Sequence, residues 1–175
     1  MLATQRLTLI PLTPTHLRWY LTQPAQLEAE LGVPVSRAVV TASVHRAIEM
    51  KLAKMARADP PSHAWYTYWL IVLAEIPFGA GLAGFKGAPD EHGQVEIGYG
   101  IDPAWAGHGY TTEAVRALLE WAFQDSTCLA VVALHTRKQN LGSLRVLAKV
   151  GMTIYAEATD TYDLRVTRAD WERAR

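Results

Sequence analysis

The stretch IDPAWAGHGYTTEAVRALLEWAF, residues 101–123, places two glycines, Gly107 and Gly109, between a strand-like run and an apolar helix pattern. Before it, QVEIGYGI (94–101) reads as a strand. After it, Val115, Leu118, Leu119, Ala122 and Phe123 recur at helical spacing over 111–124, and LAVVALHT (129–136) is rich in β-formers. Strand, helix and strand make a βαβ unit, which predicts two parallel strands joined by a right-handed crossover. A loop at that place aims several backbone N–H groups into one concavity, and the helix dipole adds partial positive charge, so it favours phosphate oxygens. Glycines let a diphosphate approach with no Cβ in the way. A plain strand-to-helix turn uses glycine for geometry too, and spacing alone leaves both readings open.

Two phosphate-binding patterns fail here. A dinucleotide fingerprint needs a third glycine where Thr112 stands and an acid at the end of the next strand, which reads His135-Thr136. A P-loop needs Gly-Lys-Ser/Thr, which is absent from 101–123.

Outward from the loop, QRLTLIPL (5–12) reads as a half-buried strand, and Pro14 to Leu21 as a short helix that Pro24 ends or restarts. Residues 31–40 read as a loop. An amphipathic helix over 41–59 carries Val44, Ile48, Leu52 and Met55 on one face. Strands are expected at about 65–74 and 79–86. Asn140 N-caps a helix over LGSLRVLAKV, which Gly151 closes, and a hairpin and a terminal helical turn follow. The order is α+β in class, in a single domain spanning 1–175.

Composition narrows the function. Half of the 175 residues are apolar and the formal net charge is zero, which argues against nucleic acid as the main partner. One cysteine, Cys128, cannot form an internal disulfide, and the N-terminus does not read as a signal peptide, so a cytoplasmic protein is expected. Residues 65–85 are apolar enough to suggest a membrane span. Glu75, Pro77 and the glycines at 79, 81 and 84 interrupt them, and buried strands are the reading adopted, with no membrane partner.

VEIGYGIDPAWAGHGYTTEAVRALLEWAF followed by NLGSLRVLAKVGM resembles the GNAT-type N-acetyltransferases, and more narrowly their ribosomal-protein-N-acetyltransferase-like branch. The resemblance covers most of the chain and is weakest at about 25–62. It implies a mixed, mostly antiparallel sheet with splayed central parallel strands, often beside a bulge on the first, and flanking helices. It implies acetyl-CoA as acyl donor, with its pyrophosphate on the backbone of Ala106, Gly107, His108, Gly109, Tyr110 and Thr111, and its pantetheine arm between the splayed strands. Asn140 matches an asparagine that contacts CoA, and Ser143 a small or hydroxyl residue one turn later. Ala106 stands where the superfamily usually has Arg or Gln, Thr111 where it has Gly or Ala, and Leu147 where many members carry a tyrosine acid. The acceptor implied is a primary amine, on a protein N-terminus or a small molecule, and a homodimer fits the likeness. A non-catalytic acyl-CoA-binding domain is the alternative.

Acetyl transfer to an amine needs a neutral nucleophile. A lysine-like amine is only ~0.04% neutral at pH 7, a cost of roughly 4.6 kcal/mol, whereas an α-amino group near pKa 8 costs about 1.4 kcal/mol. A carboxylate base therefore helps, and Glu96, on the strand feeding the loop, is the first choice; a hydrogen-bonded sheet-edge carboxylate fits the position equally. Ser143 is the candidate proton donor to the leaving thiolate, and backbone N–H groups near Tyr99 are candidates to hold the carbonyl oxygen. Glu113 reads as a helix-dipole acid, His135 as a strand histidine, and the aromatics at 65–69 as core. The histidines show no ligand spacing, so no metal is assigned. Cys128 lies outside the motif, which favours direct transfer over an acyl-cysteine step.

Overall fold

The computed structural model describes residues 1–174. Eight strands form one sheet in the order β1-β2-β3-β4-β5-β6-β8-β7: β1 Leu2–Ala3, β2 Leu7–Pro11, β3 Trp69–Leu73, β4 Phe78–Phe85, β5 Gln94–Ile101, β6 Ala130–Arg137, β7 Thr153–Glu157 and β8 Thr161–Thr167. Every neighbouring pair is antiparallel except β5 and β6. Their connection carries the crossover helix α5, Tyr110–Ala122.

Helices cover both faces. α1 (Pro14–Thr22), α2 (Pro24–Leu31) and α3 (Ala42–Met55) precede β3, while a short α4 (His63–Tyr66), α5, α6 (Leu141–Lys149) and α7 (Arg168–Arg173) complete the chain. Alternation along β3 explains the apolar run. Trp69, Ile71 and Leu73 join Val115, Leu118 and Leu119 of α5, whereas Leu70 and Val72 join Leu17, Leu27 and Ile48 of α1–α3. β3 is buried along its whole length because it has a helical layer on each side. No helix among the described residues is long and apolar enough to cross a membrane.

α1 ends at Thr22 and Pro24 starts a new helix, at the first position of α2 where its missing N–H costs nothing. The strand expected from residue 65 begins only at Trp69, because Pro60 and Pro61 open a 3-10 turn that runs into α4. α3 stops at Met55, short of the expected 59, with a turn ahead of Asp59-Pro60. On its inner face Ile48 and Met55 are buried and Val44 and Leu52 partly so, but Lys51 is buried between them.

Candidate active site

The site is built where β5 and β6 part. Their pairing covers Gln94↔Ala130, Val95↔Val131 and Glu96↔Val132 and then ends, although β5 continues to Ile101 and β6 to Arg137. The expected bulge on β5 is not the cause, since its register with β4 runs unbroken from Phe85↔Ile97 to Gly81↔Ile101. The irregularity lies on β6 between Ala133 and Thr136. There His135 adopts φ +52°, a strained angle for a residue with a Cβ, and its N–H donates to Asp163 Oδ1 at 2.7 Å. The His135 ring is exposed on that bulge and sits 3.7 Å from the same carboxylate.

Hydrogen-bond parity on β5 sets what faces the gap. Lys86 N–H donates to Glu96 O, and antiparallel pairs alternate between bonded and unbonded, so Tyr99, opposite Ala83, is an unbonded partner of β4. The Tyr99 N–H therefore points toward β6, beyond the end of that ladder. It is available as a donor to a carbonyl oxygen in the gap.

At the end of β5, Asp102 anchors the loop. It accepts from Ala104 N–H at 2.9 Å and from the Ser36 hydroxyl at 2.6 Å. Gly107 at φ +83° and Gly109 at φ +84° are both left-handed, the conformation that admits glycine without penalty. The first α5 bond runs from Glu113 N–H to Gly109 O, and the amides of residues 107–112 donate to no backbone or side-chain acceptor. A hollow of about 340 Å3 lies against them, lined by Gly107, Gly109, Thr111, Arg145 and Lys149 among others. Unspent amides at a helix N-terminus, with cationic side chains opposite, are the donor set that a diphosphate requires. The ring of His108 turns away from that role: its Nδ1–H donates to Ala106 O at 3.0 Å, and it stacks on Tyr110 at 5.8 Å.

Glu113 holds the loop from below. Its carboxylate accepts from Thr4 Oγ1 at 2.6 Å, from Arg6 N–H at 2.9 Å and from Arg6 Nε at 2.8 Å, and the Arg6 guanidinium also donates to His108 O at 3.0 Å. Partial burial raises the carboxyl pKa, but these hydrogen bonds and the Arg6 charge outweigh it and hold the group below the usual range. The helix-dipole reading was incomplete, because this acid also clamps the N-terminal turn to the loop. Glu113→Gln is expected to lower stability by about 2 kcal/mol, the scale of charge-assisted bonds, read as a shift of the urea midpoint at unchanged m-value.

The candidates for chemistry lie on the two faces of β5. Val95, Ile97 and Tyr99 face the α5 and α6 layer; Glu96, Gly98 and Gly100 face α3 and the 31–40 loop. Glu96 is one-fifth exposed, with Oε1 2.5 Å from Lys86 Nζ. On the other face Tyr99 reaches α6, its hydroxyl 2.8 Å from Ser143 Oγ and donating to Ser143 O at 3.3 Å. Burial pushes the Tyr99 phenol up to about 12, keeping it protonated at neutral pH. Asn140 caps α6, its Oδ1 accepting from Ser143 N–H at 3.1 Å, which leaves its side-chain NH2 exposed. Leu147 is fully buried. A phenol thus comes to α6 from the neighbouring strand. The period of two on β5 was the signal that could have found it.

Cys128 is buried, and burial pushes its thiol up to about 11, so it is no nucleophile at neutral pH. Trp65 and Trp69 pack in the core against Trp121, at 4.4 and 5.3 Å between ring centroids. Tyr68 lies on the opposite face, beside Lys51.

Residues 6–153 match the family model described as the acetyltransferase (GNAT) domain, and the chain belongs to that family. It is 35% identical over 86 residues to the uncharacterized N-acetyltransferase YjdG of Bacillus subtilis strain 168, a match covering 49% of this chain and 51% of that one. The aligned part thus spans about half the length of that curated relative. Among solved structures, the ribosomal-protein-S5-alanine acetyltransferase of Vibrio fischeri superposes with a TM-score of 0.67 at 17% identity, covering 97% of each chain. AAC(6')-Ib in complex with ribostamycin and coenzyme A does so with a TM-score of 0.64 at 19% identity, again over 97% of each. At such identities these likenesses describe the fold.

Proposed function

We propose that this protein is an acetyl-CoA-dependent N-acetyltransferase that moves an acetyl group directly to a primary amine, on a protein N-terminus or a small molecule. The observation that carries the reading is the coincidence of unspent amides at 107–112 with a gap that opens beyond Glu96↔Val132 on the strand leading into them. One feature holds a pyrophosphate and the other admits a pantetheine arm. Acetyl-CoA supplies the activated thioester.

The backbone amides of Gly107 to Thr112 anchor the donor, without that of Ala106, whose N–H is spent on Pro103 O, and the free NH2 of Asn140 reaches it from the far side of the gap. The Tyr99 N–H polarises the thioester carbonyl. Glu96, on the opposite face, takes a proton from the incoming amine, and its contact with Lys86 orients it. The Ser143 hydroxyl, hydrogen-bonded to Tyr99, donates a proton toward the departing thiolate and is resupplied through the phenol.

The test is release of free thiol from acetyl-CoA in the presence of a panel of amines, with mass spectrometry of the products. Glu96→Gln is expected to lower kcat by about 100-fold or more, within the range for a general base, while leaving acetyl-CoA affinity unchanged. Unchanged kcat in that variant would remove Glu96 from the mechanism. A protein that binds acetyl-CoA and acetylates no amine would instead be a binding domain.

A further inference from the structure

Gly98 lies two residues beyond the last β5–β6 pair, and a Cβ built on it meets nothing within 4 Å. The space it leaves is a cavity of about 270 Å3 between the sheet and α3, floored by Gly84 and Gly98 and walled by Met50 and Tyr68. Its charged lining is all of one sign: Arg46, Lys51, Lys54 and Lys86, with no carboxylate. Glu96 adjoins it through the Lys86 ammonium.

These cations are not equally free. Lys51 Nζ donates to Phe85 O at 2.5 Å and Thr67 O at 3.1 Å, and stands 4.4 Å from the Tyr68 ring centroid. Lys54 Nζ donates to Lys86 O at 2.6 Å. Arg46 is exposed at the mouth and forms no ion pair among the described residues. Burial, and after it the charges of Lys54 and Lys86, push the Lys51 ammonium down to about 7.

Resting on the acetyltransferase reading above, we propose that this cavity selects an acceptor whose primary amine stands beside an anionic group, carboxylate or phosphate. The amine points toward Glu96 and the anion toward Arg46. Polycationic amines are disfavoured there, since each further ammonium meets like charge inside a partly desolvated pocket. The volume suits a ligand of amino-acid to short-peptide size, so the anion comes either from a free amino acid or from the first residues of a peptide.

The test compares kcat/KM at low salt for matched acceptors: free amino acids against their amides, peptides beginning with Asp against the same peptides beginning with Asn, and spermidine. The anionic member of a pair is expected to win by at least about tenfold, an advantage that falls in 0.5 M salt. Arg46→Gln should bring the ratio near one, and Gly98→Val, which fills the cavity, should raise KM for all acceptors without changing acetyl-CoA affinity. Preference within the amino-acid pair or within the peptide pair identifies the source. Turnover that is best with spermidine, or equal within both pairs, overturns the selection while leaving the acetyltransferase intact. No turnover with any amine, when acetyl-CoA binds, overturns both readings.

Discussion

Gly109→Val is expected to abolish the stabilisation that acetyl-CoA confers. In the wild-type protein, ligand at about 100 times Kd adds roughly 2.7 kcal/mol, which moves the unfolding midpoint of a chain this size by about 5–10 °C. Gly109 sits at φ +84°, and valine there costs about 1–2 kcal/mol of backbone strain. Relief of that strain rotates the amides around it. Its Cβ would also stand 3.4 Å from the Arg6 guanidinium that braces the loop. The variant should therefore melt a few degrees lower than wild type and show no rise with acetyl-CoA. A rise equal to that of wild type, in a folded variant, would move the ligand away from this loop.

Lys51 carries the second large effect. Its ammonium is enclosed by the carbonyls of Phe85, Thr67 and Tyr66, so Lys51→Met leaves all three without that donor, at about 1–3 kcal/mol for each of the two shorter bonds, and a net loss of about 3 kcal/mol is expected at neutral pH. The pH dependence is more specific. The folded pKa, about 7, lies below the ordinary 10.5, so between those values the unfolded chain binds the extra proton and stability rises with pH. Below about 7 both states are charged and the full cost of burying the ammonium is felt. Wild type should gain about 2–3 kcal/mol between pH 7 and 9 relative to Lys51→Met, as measured by urea denaturation. The neutral amine keeps two N–H bonds, enough for Phe85 O and Thr67 O, and gives up the longer contact to Tyr66 O at 3.4 Å. Measurement above pH 10 is confounded by Tyr20, Tyr68 and Tyr99, whose phenols burial raises, so they ionise first in the unfolded chain. Parallel curves for the two proteins would contradict a depressed Lys51.

The βαβ unit was legible because its signals are local. Strand 94–101 matches its expected bounds, α5 differs by a residue or two, and Asn140 and Gly151 sit at the cap positions their chemistry prefers. The failures are those of tertiary context. Periodicity on α3 marked Val44, Ile48, Leu52 and Met55, and nothing local announces that Lys51 turns inward; the carbonyls that receive it belong to residues 67 and 85, far along the chain. The same holds for Tyr99 and Ser143, which lie on separate elements that meet only across the gap. The strand start at Trp69 was missed because the aromatic run 65–69 suits a strand as well as a short helix, and the prolines before it decide. Glu96 and Glu113 both sit where alternation and helix position put them, yet the lysine, arginine and threonine that hold them come from elements 10 to 109 residues away.

The central claim is that the amides of residues 107–112 receive the donor's phosphates, and titration of 15N-labelled protein with acetyl-CoA tests it most directly. The account predicts that these amide resonances shift downfield together with the Asn140 side-chain NH2, and that the Tyr99 amide follows as the arm fills the gap. Binding that moves a different set of resonances, with 107–112 unperturbed, would contradict it.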